Sequence, residues 1–237
     1  SGAQPMESAC GRYLIVYNGE VYNCEELRYR LTDISFKGYS DTEVILESIA
    51  RFGLLDTIKK LIGMFAFALW DKHKKCLHLV RDRLGIKPLY WGKSNGVYLF
   101  GSELKAVSAH PTFDATIDRS SIASYLRHNY IPGPHSIYKN IQKLKPGFFV
   151  TIQDGVNPKE ECFWDFQKII KTNELNRQRE LEDDQAVKEL DQLLRDSIKR
   201  RMIADVPLGA FLSGGIDSST VVALMQEQSL RPIKSFS

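Results

Sequence analysis

The sequence predicts an α+β layered domain followed by the opening of a parallel α/β domain. Three observations carry this. Short apolar strands are grouped over residues 64–101, with helix patterns on both sides. A polar and charged stretch, KTNELNRQRELEDD, fills 171–184. Residues 208–225, LGAFLSGGIDSSTVVALM, then run as strand, glycine loop and helix. Grouped strands flanked by helices build α+β layers, whereas strand, loop and helix in that order open a parallel sheet.

Taken in order, RYLIVY at 12–17 is a β-branched and aromatic run that suits a buried strand ending at Asn18-Gly19. A helix follows, with Asn23 as cap, Glu26 completing a capping box, and Leu27 and Leu31 on one face. The next helix repeats the device. Ser40 caps, Glu43 reaches back, Val44, Ile45, Ile49 and Phe52 form the apolar stripe, and Gly53 stops it. Both helices are expected to pack on a sheet. Residues 64–101 then read as one antiparallel meander with turns at 71–75 and at Ser94-Asn95-Gly96. Short helices at 102–109 and 120–128 and a strand at 148–152 complete the first domain, residues 1–170. A linker is assigned to 171–184. The second domain, 185–237, starts with a helix at 186–203 on Val187, Leu190, Leu194 and Ile198, with acids before it and Lys199, Arg200 and Arg201 at its end, as the helix dipole favours.

Composition narrows the function. The 237 residues are 43% apolar and 26% charged, ordinary for globular protein, and a net charge of +3 with dispersed basic residues gives no footing for nucleic acid. Cys10, Cys24, Cys76 and Cys162 form no C-x-x-C pair, and the five histidines form no ligand cluster, so a cytoplasmic protein with reduced thiols and no structural metal is expected. No apolar run approaches the ~20 residues of a membrane helix.

Two short stretches carry chemistry. In Ser213-Gly214-Gly215-Ile216-Asp217-Ser218 the glycines let backbone N–H groups approach an anion, the following helix directs its positive end at it, and the Ser213 and Ser218 hydroxyls donate to phosphate oxygens. Neither the lysine of a P-loop nor the glycine spacing of a dinucleotide fingerprint is present. Asp217 would repel a bare phosphate and suits the magnesium that accompanies ATP. A serine-capped glycine turn without a ligand is the plainer alternative. In NGEVYN, residues 18–23, Asn18-Gly19 taken alone favours a type I′ hairpin. Against it, Glu20 to Asn23 is too short for a return strand. The functional alternative uses the Asn18 amide and the Gly19 N–H as two donors to a developing oxyanion, with Glu20 and Asp41 holding an ammonium group.

The strings NGEVYN, SDTEVILESIARFG, GMFAFALWD, RDRLGIKPLYW, GSELKAV, KLKPGFFV and DVPLGAFLSGGIDSS, in this order, resemble the glutamine-hydrolysing asparagine synthetases over essentially the whole chain. The resemblance implies an Ntn-type glutaminase, a four-layer sandwich around two antiparallel sheets, followed by a doubly wound ATP pyrophosphatase (PP-loop) domain. It implies that glutamine yields ammonia, that ATP adenylates aspartate, and that ammonia displaces AMP. It assigns Asn18 and Gly19 to the oxyanion hole, and Asn18, Gly19, Glu20 and Asp41 to glutamine. Phe211, Leu212, Ser213, Gly214, Gly215, Asp217 and Ser218 are assigned to ATP, with Asp217 on Mg. Glutamine, aspartate and ATP are the implied small-molecule partners, without nucleic acid or membrane, and a homodimer stays open.

The resemblance has two departures. The family's nucleophile is an N-terminal cysteine, whereas this sequence starts at Ser1, and Cys10 is internal without a free amine. The sequence also stops at the start of the next strand, 233–237. An internal fragment, inactive by itself, is therefore expected. Two alternatives remain: a related amidotransferase with another carboxylate acceptor (polysaccharide amidation, β-lactam synthesis), and a degenerate domain that binds without catalysing.

Overall fold

A computed structural model of the chain describes residues 2–175, 182–204 and 206–237. These fall into two compact units, Ser1–Phe166 and Gln167–Ser237.

The first unit holds two sheets. Strands β1 (Met6–Glu7), β2 (Tyr13–Val21), β3 (Gly63–Asp71), β4 (Cys76–Arg81), β8 (Phe148–Gln153) and β9 (Val156–Cys162) form an antiparallel sheet in the order β1-β2-β3-β4-β8-β9. Strands β5 (Tyr90–Ser94), β6 (Val97–Gly101) and β7 (Ile141–Lys143) form a second sheet in the order β6-β5-β7. The single meander expected over 64–101 is thus two hairpins in different sheets. The break between them is the loop 82–89, which carries the chain from one sheet to the other.

Strand β3 shows why the sheets stack. Its run GMFAFALWD has no polar alternation because both faces are buried. Phe65, Phe67 and Leu69 point to a core shared with Ile15, Tyr17, Val44, Ile45 and Ile49. Ala66 and Ala68 point the other way, to a core with Leu79, Val150 and Trp91 of the second sheet. Alanines on that face leave room for the facing sheet and its tryptophan. A third core of Leu99, Val107 and Ile141 covers the outer face of the second sheet. Three apolar interlayers require four layers: helices α1 (Cys24–Arg28), α2 (Asp41–Phe52) and α3 (Leu54–Ile58), two sheets, and the side of α4 (Leu104–Ser108), while α5 (Arg119–His128) leaves Ile122, Tyr125 and Leu126 exposed. This is the Ntn-type sandwich.

Local signals held with adjustments. Ser40 caps α2 by accepting from Glu43 N at 3.3 Å, but the Glu43 carboxylate accepts from Lys37 N and Gly38 N and so fixes the preceding loop instead. The side chain of Asn23 makes no cap. It bridges to Lys60 O (3.0 Å) and Ile62 N (2.9 Å), fastening the turn after β2 to the entry of β3.

Loop 82–89 is fixed by two side chains. The Asp82 carboxylate, 1% exposed, accepts from the N–H groups of Phe65, Leu84, Ile86 and Lys87 at 2.9–3.2 Å. Arg81 donates to the carbonyls of Lys87, Leu144 and Gly85. At the far end of β3, buried Asp71 accepts from Arg12 Nε (3.0 Å) and Nη2 (2.6 Å) and from the N–H groups of His73 and Lys74. Burial alone would raise this carboxyl, but the bonds from Arg12 and the two amides outweigh it and hold it at about 2, against an ordinary 3.8. A depressed carboxyl stabilises the fold above its unfolded pKa and loses that contribution as pH falls through the folded value. Stability is therefore expected to drop by on the order of 2 kcal/mol between pH 3.8 and about 2. Urea midpoints over that range should show the drop in the wild-type chain and a smaller one in Asp71→Asn. Equal slopes would remove Asp71 as the cause.

The second unit contains α6 (Phe166–Leu175) from its second residue on, α7 (Asp183–Arg201), β10 (Gly209–Phe211), α8 (Ile216–Glu227) and β11 (Lys234–Phe236). Of the stretch expected as a linker, 171–175 belongs to α6 and 183–184 to α7, while 176–181 lie outside the described residues. Strands β10 and β11 pair in parallel, Gly209 with Lys234 and Phe211 with Phe236. This βαβ unit opens the PP-loop domain. Ile198 of α7 and Leu224 and Met225 of α8 are its buried centre. On α8, Leu224 is buried and Val221 is exposed.

Candidate functional site

In the first unit, the sequence-derived residues meet along one edge of β2. Asn18-Gly19 forms no turn. Tyr13–Val21 is one continuous strand, and Asn18 and Gly19 pair with Ala66 and Phe65 of β3. Long-range pairing with β3 overrides the local turn preference of Asn-Gly, since nine residues of β2 match nine of β3 without a gap. On the other edge β1 pairs only as far as Ile15. Odd-numbered amides of β2 point to that edge. Tyr13 N donates to Ser8 Oγ, Tyr17 N to Gln4 Oε1 at 2.6 Å, and Val21 N to Asp41 Oδ2 at 3.2 Å. The alternation puts Gly19 N–H between the last two, on the same open edge.

Gly19 is required by space. A Cβ there would lie 2.3 Å from Met64 O and 2.7 Å from Phe65 Cα, and one on Gly63 across the pair would lie 2.2 Å from Glu20 O. Two glycines let β2 and β3 run unusually close at this point. Asn18, on the sheet-facing side of β2, donates from Nδ2 to Ser102 Oγ at 3.1 Å. Glu20 follows two residues on, exposed on the same face.

Asp41 opens α2, where the helix dipole favours a carboxylate. Its Oδ2 accepts from Tyr17 Oη at 2.7 Å as well as from Val21 N. Burial first, and then the Asp41 charge, push the Tyr17 phenol far up, so it remains a donor. Cys24 comes near, but burial, with Asp41 and Glu20 adding to it, raises its thiol and keeps it from acting as a thiolate. Cys76 is buried and likewise raised, first by burial and then by Asp71. Cys10 and Cys162 are exposed, and all four are free thiols.

Gln4, Tyr17 and Ser102 were not legible as site residues in the sequence. Each acts through a neighbour separated by 13, 24 or 84 positions, and no local pattern announces such a pairing.

In the second unit, Ser213, Gly214 and Gly215 join β10 to α8, with Gly214 at φ +80° and Gly215 as N-cap. Ser213 Oγ and Ser218 Oγ lie 3.0 Å apart, and Ser218 Oγ donates to Gly215 O. Both hydroxyls thus face one spot above the helix start. Asp217 is exposed in the first turn of α8. Leu212 N donates to Phe236 O, so Leu212 serves the sheet, while Phe211 is exposed at the strand end. No group of three or more His, Cys, Asp or Glu that could hold a metal occurs among the described residues, and no described helix is long and apolar enough to cross a membrane.

Residues 1–164 match the family model of the glutamine amidotransferase domain. The chain belongs to the glutamine amidotransferase domain family. Residues 189–237 match the asparagine synthase model as well, so the amidotransferase match is followed by a match to a second family. Among curated relatives, "Asparagine synthetase [glutamine-hydrolyzing] 3" of Bacillus subtilis is 36% identical over 249 residues, covering all of this chain and 38% of the relative. "Putative asparagine synthetase [glutamine-hydrolyzing] 2" of Methanocaldococcus jannaschii is 37% identical over 220 residues, 90% of this chain and 40% of the relative. The chain therefore spans about two fifths of the length of these relatives. Among solved structures, the glutamine phosphoribosylpyrophosphate amidotransferase of B. subtilis covers 99% of this chain and 48% of its own at 18% identity, with a TM-score of 0.49.

Proposed function

We propose that this chain is the glutamine-binding part and the beginning of the ATP-binding part of a cytoplasmic, glutamine-hydrolysing asparagine synthetase. The single observation that supports it most is the open edge of β2. There a side-chain amide and an unpaired-edge N–H stand side by side at Asn18 and Gly19, with a carboxylate at Asp41 beside them. Two donors suit the oxyanion of a tetrahedral acyl intermediate. Asp41 accepts from Tyr17 and Val21 on Oδ2 and from Thr42 Oγ1 at 3.4 Å on Oδ1, whose remaining lone pair suits the substrate ammonium, and Glu20 supplies a second acid. Cys24, the cysteine near this edge, is held as a thiol by burial and by Asp41 and Glu20, which argues against it as the nucleophile.

In the second unit the start of α8, Ser213, Gly214, Gly215 and Ser218 hold the phosphates of ATP, with Phe211 and Leu212 alongside. Mg²⁺ is bound through one or two carboxylates plus phosphate oxygens in such sites, and Asp217 supplies one carboxylate. The donor set fits the ion only in company with the nucleotide. When bound, Mg²⁺ would neutralise charge on the leaving pyrophosphate.

The glutamine part is tested without catalysis. Titrating the ¹⁵N-labelled 237-residue chain with L-glutamine is expected to shift the Gly19 and Val21 amides saturably, and Asp41→Asn should weaken binding about tenfold or more. Shifts equally strong with L-alanine, or none at Gly19, would defeat the assignment.

A further inference from the structure

Among the described residues, the Asn18 amide is held by one hydrogen bond. Asn18 lies in β2 of the six-stranded sheet and is exposed. Ser102 lies just past β6 of the facing three-stranded sheet, ahead of α4. The 3.1 Å bond from Asn18 Nδ2 to Ser102 Oγ spans the two sheets, between residues 84 apart in sequence.

We infer that Ser102 is a positioning residue for glutamine hydrolysis: its hydroxyl oxygen fixes the orientation of the Asn18 amide so that the second Nδ2 hydrogen is aimed at the developing oxyanion. The inference rests on the oxyanion role proposed above for Asn18.

The physical need is plain. The last torsion of an asparagine side chain is broad and roughly two-fold, so an exposed amide rotates freely and can present its carbonyl oxygen instead of its nitrogen. An oxyanion facing that carbonyl would be repelled. A donor contributes to catalysis in proportion to its preorganisation, because orienting it during the reaction costs part of what it gains. An acceptor that cannot be mistaken for a carboxylate is also required. A charged partner would hold the amide more tightly, but its negative charge would sit beside the oxyanion. The serine oxygen accepts from Nδ2 without adding charge. Ser102 is partly buried at the strand end, where Gly101 packs near Val107 of α4, so its position is set by the outer core and not by the substrate.

The measurement has two arms. In the full-length protein that carries this chain, Ser102→Ala is expected to lower kcat for glutamine about tenfold with little change in KM, because the Asn18 bond strengthens in the transition state. Ser102→Thr, which keeps the hydroxyl, should recover most of the rate. Added ammonium, which bypasses glutamine, should support wild-type product formation in both variants. In the ¹⁵N-labelled 237-residue chain, Ser102→Ala should shift the Asn18 side-chain amide resonances and raise their hydrogen exchange, while backbone amides of β3 stay unchanged.

Unchanged kcat in Ser102→Ala overturns the inference, as does a loss that Thr fails to restore. An Asn18→Ala control separates the two levels. If Asn18→Ala loses about 10²-fold or more and Ser102→Ala loses nothing, Ser102 alone is wrong. If Asn18→Ala is itself fully active, the oxyanion reading is wrong.

Discussion

Gly19→Ala is expected to lower glutamine-dependent turnover of the full-length protein at least ~100-fold while leaving ammonium-dependent turnover near wild type. The reason is steric before it is chemical. The new methyl would stand 2.3 Å from Met64 O and 2.7 Å from Phe65 Cα, and both obstacles are backbone atoms of a central strand. β3 is paired on both sides and buried on both faces, so it does not yield. β2, which past Ile15 has no strand on its outer edge and only single bonds from Tyr17 N to Gln4 and Val21 N to Asp41, yields instead. Its displacement carries the Gly19 N–H and the Asn18 amide away from the position proposed for the oxyanion, and a shift of about 1 Å in such a constellation costs about 10²-fold. The same overpacking should cost about 1–3 kcal/mol of stability. Parallel assays with glutamine and with ammonium decide the matter. Equal loss with both nitrogen sources would mark Gly19 as a general folding requirement, and full glutamine activity would remove it from the site.

Asp82→Ala is expected to cost the most stability of any single change in the loop that joins the sheets, about 4 kcal/mol or more. Four N–H groups, from Phe65, Leu84, Ile86 and Lys87, converge on a carboxylate that is 1% exposed. Alanine leaves these donors facing a void, and each buried unsatisfied donor costs about 1–3 kcal/mol, reduced where water enters. Asp82 O also accepts from Gly147 N, tying the loop to the entry of β8. Asp82→Asn keeps one acceptor oxygen and should lose less. Urea unfolding of the 237-residue chain checks the order wild type, Asn, Ala, and an Asp82→Ala midpoint within error of wild type would show that the carboxylate is not the clasp.

Much of the fold was legible from residue pattern because its signals are local. The Ser40 cap, the α2 stripe, the hairpin turn at Ser94-Asn95-Gly96 and the strand–loop–helix of 208–225 each lie within one or two turns of chain. Residue chemistry within short strings likewise singled out Asn18, Gly19, Glu20, Asp41 and the SGGIDSS loop. Their proposed roles came from resemblance, since composition and periodicity say nothing about glutamine or ATP. The misreadings were of one kind. The strand expected to end at Asn18-Gly19 runs on to Val21, because pairing with β3 supplies a full ladder and close packing at Gly19 and Gly63. The meander divided into two sheets because Asp82 and Arg81 gather the backbone of 82–89 into a crossing loop, and neither residue advertises its partners in sequence.

The sequence by itself determined which residues are apolar on which period, where the phosphate-type loop starts, and which donors and acids were available. Only the tertiary structure decided that β2 has an open edge at Gly19, that Tyr17 and Val21 occupy one oxygen of Asp41, and that Ser102 reaches Asn18 across the sheets. Periodicity is a property of neighbours in the chain, fixed by helix and strand geometry. Edges and cross-sheet contacts depend instead on which distant segments pair, which is settled by the packing of the whole layer stack.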